Sequence, residues 1–259
     1  MRMFELGPVA LALLGTLFTF FLTALGASII FLCKKSMKEQ VLKSFLGFAA
    51  GVMFAASIWS MILPALDYDT VMPVWLMAAI GVTVGALFIN GMDRALVRIM
   101  DHKGQDKRQT TLLMTAITMH NIPEGLAVGL TFALAAQAHS AVTMAAAIAL
   151  MVGIGIQNFP EGAAVSLPLY QEGATKFKAF LKGSLTAIVE PIAGVAAAFL
   201  VGVISALMPW LLTFAAGAMI YVVVQELVPA SQSEKYRYIG TVGFIIGFLI
   251  MMILDIALG

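Results

Sequence analysis

The chain has 259 residues, of which 61% are apolar and only 11% are charged. Soluble domains carry about 45–50% apolar and about 25% charged residues, so this composition excludes a water-soluble surface and indicates a membrane protein. The net charge of +1 argues against an electrostatic nucleic-acid binder, and the single cysteine excludes an intrachain disulfide and a thiolate metal cluster.

Apolar stretches long enough to cross a bilayer follow one another along the whole chain. A spanning helix needs about 20 apolar residues, because the hydrocarbon layer is about 30 Å thick and each helical residue rises about 1.5 Å. We therefore predict an all-α, polytopic membrane protein with eight transmembrane helices in a single domain over residues 1–259. The first stretch is too long for the core of a cleavable signal peptide, so it counts as a span. The predicted helices cover about residues 7–33, 41–65, 72–92, 110–136, 141–168, 179–206, 209–230 and 239–258.

Basic residues are distributed unequally between the two ends of the predicted helices. Fourteen of the 15 Lys and Arg residues lie in or beside the connections that follow the first, third, fifth and seventh helices, and only Arg2 lies on the other side. Because cytoplasmic loops are enriched in Lys and Arg, this bias places those connections in the cytoplasm and both termini on the outer face.

The fourth and fifth predicted helices share a sequence motif. HNIPEGLAVGL at residues 120–130 and QNFPEGAAVSL at residues 157–167 are identical at seven of eleven positions. Consecutive helices cross a membrane in opposite directions, so the duplication is inverted, as in many transporters. The shared glycines, Gly125 and Gly162, allow two helices to approach closely. Helices one to three cross the membrane in directions opposite to those of helices six to eight, so they are candidates for inverted copies of them.

Three glutamates, Glu124, Glu161 and Glu190, lie near the centres of predicted spans. A carboxylate at that depth costs roughly 3 kcal/mol on insertion scales, so it normally has a function or a partner. The basic residues lie in connections or at helix ends and supply no counter-charge at that depth. The pattern therefore indicates a mobile divalent cation as the counter-charge.

Other candidate metal ligands accompany two of these glutamates at helical spacing. His120 and Glu124 are four residues apart and lie on one face of a helix, and Gln157 and Glu161 repeat this spacing on the next helix. Imidazole with carboxylate suits zinc, with iron, manganese and cadmium as alternatives, whereas the lack of a thiolate argues against Cu(I). We predict no catalytic residues. The predicted metal ligands are His120, Asn121, Glu124, Gln157, Asn158, Glu161 and Glu190.

The paired PEG motifs resemble those of the ZIP family of zinc- and iron-regulated transporters. The resemblance to its bacterial GufA-like branch covers nearly the whole chain and includes MFAASIWSMILPALD in helix two, VEPIAG in helix six and AAGAMIYVVVQELVP in helix seven. It implies a 3+2+3 helix arrangement, transport of the metal toward the cytoplasm and location in a bacterial cytoplasmic (inner) membrane. The expected partners are divalent metal ions and the lipid bilayer, and a homodimer is an arrangement that the sequence leaves open.

The same resemblance assigns the ligands to two metal positions. One comprises His120, Glu124, Gln157 and Glu161; the other comprises Asn121, Glu124, Asn158, Glu161 and Glu190, so that Glu124 and Glu161 bridge the two. The chain departs from the pattern at Asn158, where some members of the family carry an acidic residue. With one carboxylate fewer, we expect the second position to bind metal more weakly.

Polar residues nearer the helix ends are candidates for the transport pathway. Toward the outer face, Ser60, Asp67 and Asp255 could gather cations, and toward the inner face Gln225 and Glu226 could release them. For Asp67 the alternative is a solvated surface residue, and for Glu226 it is helix capping or pairing with a basic residue.

Two other functions are compatible with carboxylates inside a membrane. In a proton-coupled carrier of an organic substrate the glutamates would relay protons, but the paired His/Asn/Glu and Gln/Asn/Glu groups would have no role. In an intramembrane metalloprotease Glu124 would be the general base, but the H-E-x-x-H motif typical of such enzymes is absent. The sequence therefore favours a metal-ion transporter over an enzyme.

Overall fold

The computed structural model describes residues 6–33, 39–100, 105–138, 141–232 and 237–258, which form helices with short connections and contain no strand. The prediction of an all-α protein is confirmed for this part of the chain. Helical segments that continue into one another are counted here as one helix. The helices are α1, Pro8–Phe31; α2, Glu39–Leu66; α3, Val74–Met100; α4, Gln105–Ala138; α5, Ala141–Gln171; α6, Lys176–Phe199; α7, Val201–Ser231; and α8, Arg237–Leu258.

Seven of these helices, within the described residues, are long and apolar enough to cross a membrane. The remaining long helix, α4, carries His120, Asn121 and Glu124, and these polar side chains lower its mean hydropathy. Large apolar side chains such as Leu87 and Ile253 are exposed on the outside of the bundle, which is favourable in lipid and unfavourable in water. A polytopic membrane protein is therefore confirmed, whereas the count of eight spans stays a prediction.

The helix boundaries differ from the prediction at two places. α3 continues to Met100 and α4 begins at Gln105, because hydropathy marks only the part of a helix inside the hydrocarbon and not its polar extension. α6 ends at Phe199, and the predicted boundary between 206 and 209 lies inside α7. The boundary is Leu200, whose φ of −114° and ψ of 32° are not helical. This one-residue apolar connection carries no polar turn signal, and Pro209 is accommodated within the helix.

The two ends of the bundle are distinguished by the helices that begin or end there. We call one of them the basic end: there α2 begins, α5 and α7 end, and Lys43 donates a hydrogen bond to the Ala230 carbonyl oxygen. At the opposite end, α2 and α8 end and α5 begins. Part of the predicted orientation depends on residues that lie outside the described part of the chain, namely Arg2, Lys34, Lys35, Lys38, Lys103 and Lys235.

The connection between α5 and α6 and an interruption within α6 position Glu190. Gly173 has a positive φ of 98°, which lets the chain turn tightly after α5, and the Thr175 hydroxyl caps the start of α6. Residues 186–188 then leave the regular helix. The second half of α6, Val189–Phe199, begins one residue before Glu190 and so places this carboxylate in a first helical turn.

α2 and α7 each contain a single π-helical turn followed by a proline. The turn in α2 is Ser57–Ile62, followed by Pro64, and the turn in α7 is Val223–Leu227, followed by Pro229. A proline cannot donate the regular helical hydrogen bond, and a π-helical turn relieves the local crowding. The shared pattern agrees with the predicted relation between the second and seventh helices.

The helices pack in pairs that an inverted repeat would produce. α1 packs against α5 as α6 packs against α4, and α2 packs against α8 as α7 packs against α3. A Cβ atom at Gly162 would overlap the backbone of Thr23 in α1, and one at Gly125 would overlap the backbone of Glu190 in α6. The predicted close approach at both glycines is therefore confirmed, while the 3+2+3 repeat itself stays a prediction.

Candidate metal site

α4 and α5 bring two pairs of polar side chains together inside the bundle. His120 and Glu124 lie one turn apart on α4, and Gln157 and Glu161 lie one turn apart on α5. The His120 Nε2 atom is 3.1 Å from the Glu161 Oε1 atom, and the Gln157 amide donates a hydrogen bond to Glu124 Oε1. Because the helices run in opposite directions, the first residue of each pair meets the second residue of the other. All four side chains are at most 1% exposed.

The ligand atoms of this group are close enough together to bind one metal ion. One ligand atom from each of His120, Glu124 and Glu161 lies within 4.8 Å of the others. Zinc bonds to nitrogen and oxygen are about 2.0–2.2 Å long, so two ligand atoms of a tetrahedral zinc ion are about 3.3–3.6 Å apart. The ligand atoms would have to move closer together by up to about 1 Å to complete a zinc site.

Several polar atoms of this group have no hydrogen-bond partner among the described residues. They are His120 Nδ1, Glu124 Oε2, Gln157 Oε1 and Glu161 Oε2, all of them buried. A buried polar atom without a partner destabilises a folded protein by about 1–3 kcal/mol, and by more when the group is charged. A bound cation would satisfy the oxygen atoms among them.

The charges also favour a cation at this place. Glu124, Glu161 and Glu190 are almost completely buried, and the described residues place no Lys or Arg within ion-pair distance of them. Buried carboxylates repel one another because the surrounding dielectric constant is low, and a buried charge without a partner is strongly destabilising. A divalent cation would supply the missing positive charge.

Glu190 forms a second group with residues of α1 and α5. It lies in the first turn of the second half of α6, where the helix dipole favours negative charge. The Asn158 Nδ2 atom donates to Glu190 Oε1 at 2.9 Å, and the Thr19 hydroxyl donates to Glu190 Oε2. Both oxygens of this carboxylate therefore have partners, unlike those of Glu124 and Glu161.

Asn121 contacts the interruption of α6. Its Nδ2 atom donates to the Thr186 carbonyl oxygen at 3.3 Å. Thr186 precedes Glu190 by four residues in α6. The Oδ1 atoms of Asn121 and Asn158 are buried and lack a hydrogen-bond partner in the described part of the chain. The structure therefore brings all seven predicted ligands into one buried region, and their assignment as metal ligands stays a prediction.

Thr19, the α1 contact of Glu190, is not among the residues predicted from the sequence. α1 carries three buried threonines, Thr16, Thr19 and Thr23, at spacings of three and four residues. Such a stripe on an apolar helix marks the face that packs against other helices. The spacing could have identified this face, but it could not reveal a contact with a residue 171 positions away.

A cavity of about 170 Å³ lies between α2, α5 and α8, toward the end opposite the basic end. Ser60 and Asp255 line it, and the Ser60 hydroxyl donates to Asp255 Oδ1 at 2.8 Å. Gly153 also lines it, four residues before Gln157, so the cavity is about 6 Å from Gln157 along α5. Asp67 is exposed after the end of α2 and is not among the residues that line the cavity.

A second cavity, of about 400 Å³, lies at the basic end between α2, α4, α5 and α7. Glu226 lines it from the π-helical turn of α7, and Pro168 lines it from α5, seven residues after Glu161. This separation corresponds to about 10 Å along the helix. Gln225 is exposed and is not among the residues that line this cavity, and its place in the transport pathway stays a prediction.

An apolar layer separates the site from the cavity at the basic end. Ile117 precedes His120 by almost one turn on α4, and Val165 follows Glu161 by one turn on α5. Both are fully buried in one apolar cluster with Met53. Buried apolar side chains therefore lie between the candidate ligands and the basic end on both helices.

Comparison with known proteins identifies relatives over almost the whole chain. Residues 109–255 match the family described as ZIP Zinc transporter. The chain is 36% identical to zinc transporter ZIP11 of Bos taurus, over 97% of this chain and 98% of that protein. It is 33% identical to zinc transporter ZIPB of Bordetella bronchiseptica, over 97% of this chain and 82% of that protein. It is also 37% identical to zinc transporter GufA of Myxococcus xanthus, over 71% of this chain and 72% of that protein.

These matches confirm the resemblance that the PEG motifs indicated. The matched region contains all seven predicted metal ligands, and similarity to full-length relatives extends it to the α1 end of the chain. The protein belongs to the ZIP family of zinc transporters.

Proposed function

We propose that this protein carries zinc across a membrane and that its principal metal position comprises His120, Glu124, Gln157 and Glu161. The observation that carries the proposal is the buried group of imidazole and carboxylate ligand atoms within 4.8 Å of one another. No Lys or Arg among the described residues pairs with these carboxylates. Relatives named as zinc transporters support zinc as the substrate and argue against the protease hypothesis.

The ligand types suit reversible binding of the ion. Imidazole and carboxylate groups are strong zinc ligands, and four ligands complete a tetrahedral site. The Gln157 side chain contributes a neutral amide oxygen, which binds more weakly than a carboxylate. A transported ion must leave its site, and a set with one weak ligand releases it more readily. Iron, manganese and cadmium accept the same ligand types, and we propose them as further substrates.

The second proposed position is weaker. It comprises Asn121, Asn158 and Glu190, with Glu124 and Glu161 bridging to the first position. Two divalent ions against three carboxylates leave one net positive charge in a buried region, and this opposes simultaneous occupation. We therefore expect the first position to fill at lower zinc concentration than the second.

The proposed direction of transport is toward the cytoplasm. The bias of basic residues puts the basic end in the cytoplasm and both termini on the outer face of a bacterial inner membrane. In that orientation the cavity with Ser60 and Asp255 would receive the ion, and the cavity with Glu226 would release it. Asp67 would add negative charge near the entrance. All proposed ligands come from one chain, so the proposed metal site does not require the homodimer that the sequence leaves open.

Zinc uptake into liposomes that contain the purified protein tests this function. We expect saturable zinc uptake that iron, manganese or cadmium reduces by competition, and that is lost when His120 and Glu161 are both replaced by alanine. Folded protein that moves none of these metals would contradict the proposal. A carrier of organic substrates would instead move protons without metal, and a metalloprotease would cleave a peptide in the presence of zinc.

A further inference from the structure

The contacts of Glu190 give α1 a role in the metal site. We propose that Thr19 is a positioning residue for Glu190, and that its hydroxyl holds the carboxylate in the orientation in which it binds the ion. The inference rests on the proposed function and adds to it a residue from a helix that supplies none of the predicted ligands.

Close helix packing on both sides fixes the position of Thr19. Almost one turn before it, the Thr16 side chain lies where a Cβ atom at Gly194 of α6 would be. One turn after it, the Thr23 backbone lies where a Cβ atom at Gly162 of α5 would be. Because these contacts leave no space for a larger residue, α1 cannot move closer to α5 or α6 without overlap. Thr19 is fully buried between them.

Hydrogen bonds join Thr19, Asn158 and Glu190 into one cluster. The Thr19 hydroxyl donates to Glu190 Oε2, and Asn158 Nδ2 donates to Glu190 Oε1 at 2.9 Å. The same Asn158 Nδ2 atom lies 3.4 Å from the Thr19 carbonyl oxygen. Since each oxygen of the carboxylate is held from a different helix, the carboxylate cannot rotate without breaking one of these bonds.

The Thr19 hydroxyl has one proton and two acceptors within reach. The alternative acceptor is the Thr16 carbonyl oxygen at 3.0 Å. A charged carboxylate accepts the stronger hydrogen bond, so Glu190 is the preferred partner. A carboxylate oxygen has two lone pairs, so Oε2 can accept from Thr19 and still face an ion with the other lone pair. Carboxylates that bind metals are commonly held by hydrogen bonds of this kind.

Thr19→Val tests the proposal, because valine keeps the shape of threonine and removes only the hydroxyl. Glu190 belongs to the second proposed position, so the proposal requires that the ion occupies this position during transport. We therefore expect the KM for zinc uptake in Thr19→Val to rise about 10-fold, with little change in the maximal rate, because loss of a residue that orients a metal ligand costs at least that much in affinity. Thr19→Ser keeps the hydroxyl and should restore the KM.

Thr16→Val is the matched control on the same face of α1. Thr16 is equally buried, and its hydroxyl donates only to carbonyl oxygens of its own helix, those of Ala12 and Leu13. We expect the KM for zinc uptake by the Thr16→Val variant to equal that of the unchanged protein. An equal rise in Thr16→Val, or an equal rise in Thr19→Ser and Thr19→Val, would overturn the proposal, since either would mean that packing and not the hydroxyl is responsible.

A double variant separates an action through Glu190 from a separate effect of Thr19. If Thr19 acts by holding Glu190, then Thr19→Val adds no further rise in KM to Glu190→Ala. Additive effects, or normal uptake by Glu190→Ala alone, would overturn the proposal. Failure of the unchanged protein to take up zinc would instead reject the proposed function, so the two failures are distinguishable.

Discussion

The His120 Nε2 atom lies 3.1 Å from the Glu161 Oε1 atom, and this contact joins α4 to α5. The hydrogen bond from Gln157 to Glu124 joins the same helices in the reverse order. Each carboxylate therefore lies at the interface of the two helices and faces a predicted ligand on the other helix. An ion bound there would hold α4 and α5 together, and loss of either carboxylate would remove a shared anion.

We expect Glu124→Ala and Glu161→Ala each to abolish zinc uptake, because both proposed metal positions use both carboxylates. Glu124→Gln and Glu161→Gln keep the side-chain volume and remove the charge, so they should be equally inactive. Glu39→Ala, at the exposed start of α2, is the control and should be fully active. The measurement is the initial rate of uptake into liposomes. Near-normal uptake in either alanine variant would refute the bridging role.

His120 should determine which metal is preferred. His120→Asp replaces the imidazole by a carboxylate and leaves only oxygen ligands, which suit manganese better than zinc. We expect the ratio of zinc to manganese uptake to fall about 10-fold, which corresponds to about 1.4 kcal/mol. Uptake from an equimolar mixture, with both metals measured in the same liposomes, gives this ratio directly. An unchanged ratio would mean that His120 is not a ligand.

Asn158→Asp should strengthen the second metal position. The substitution replaces the donor that now bonds to Glu190 Oε1 by a second carboxylate, so the two acids repel one another in the empty site. We expect a lower melting temperature without zinc, a larger increase on adding zinc, and a stoichiometry that approaches two ions per chain. Unchanged affinity and stoichiometry would show that residue 158 is not a ligand.

Asp255→Asn tests the proposed entrance. Asp255 is a partly buried carboxylate that lines a cavity and raises the local concentration of cations there, so its neutralisation should raise the KM for zinc and leave the maximal rate unchanged. Asp67→Asn is the comparison, since Asp67 is exposed and its charge is screened by salt. We expect a smaller rise in KM for Asp67→Asn. An equal effect of both substitutions would mean that only the net charge of this face matters.

The sequence predicts which polar side chains lie together at the centre of the candidate site, because the relevant pattern is local. His120 and Glu124 lie within one helical turn, as do Gln157 and Glu161, so the helical period alone puts each pair on one face. The motif duplication then predicts that the two faces meet. Because Lys and Arg lie in connections or at helix ends, the sequence also predicts that a bound cation neutralises the buried glutamates.

Features that depend on contacts between distant segments could not be predicted in this way. The contact of Thr19 with Glu190 requires α1 to pack against α6, and no periodicity in either helix specifies that pairing. The boundary at Leu200 lies in a continuous apolar stretch, where hydropathy does not change. The π-helical turns near Ser60 and Glu226 leave no periodic signal either, although a nearby proline marks each of them.

Gly162→Ala tests the packing that holds α1 against the site. A Cβ atom at this position would overlap the Thr23 carbonyl oxygen. This oxygen belongs to the backbone, so the overlap cannot be relieved by rotation of a side chain. α1 must therefore move away from α5, and such overpacking destabilises a protein by about 1–3 kcal/mol.

Gly202→Ala is the matched control, because no atom lies within 4 Å of its added Cβ. Alanine favours a helix over glycine by about 0.5–1 kcal/mol, so we expect an equal or higher melting temperature for Gly202→Ala and a lower one for Gly162→Ala. A Gly162→Ala protein that melts at the temperature of the unchanged protein would contradict the close contact of α1 with α5, and with it the fixed position of Thr19.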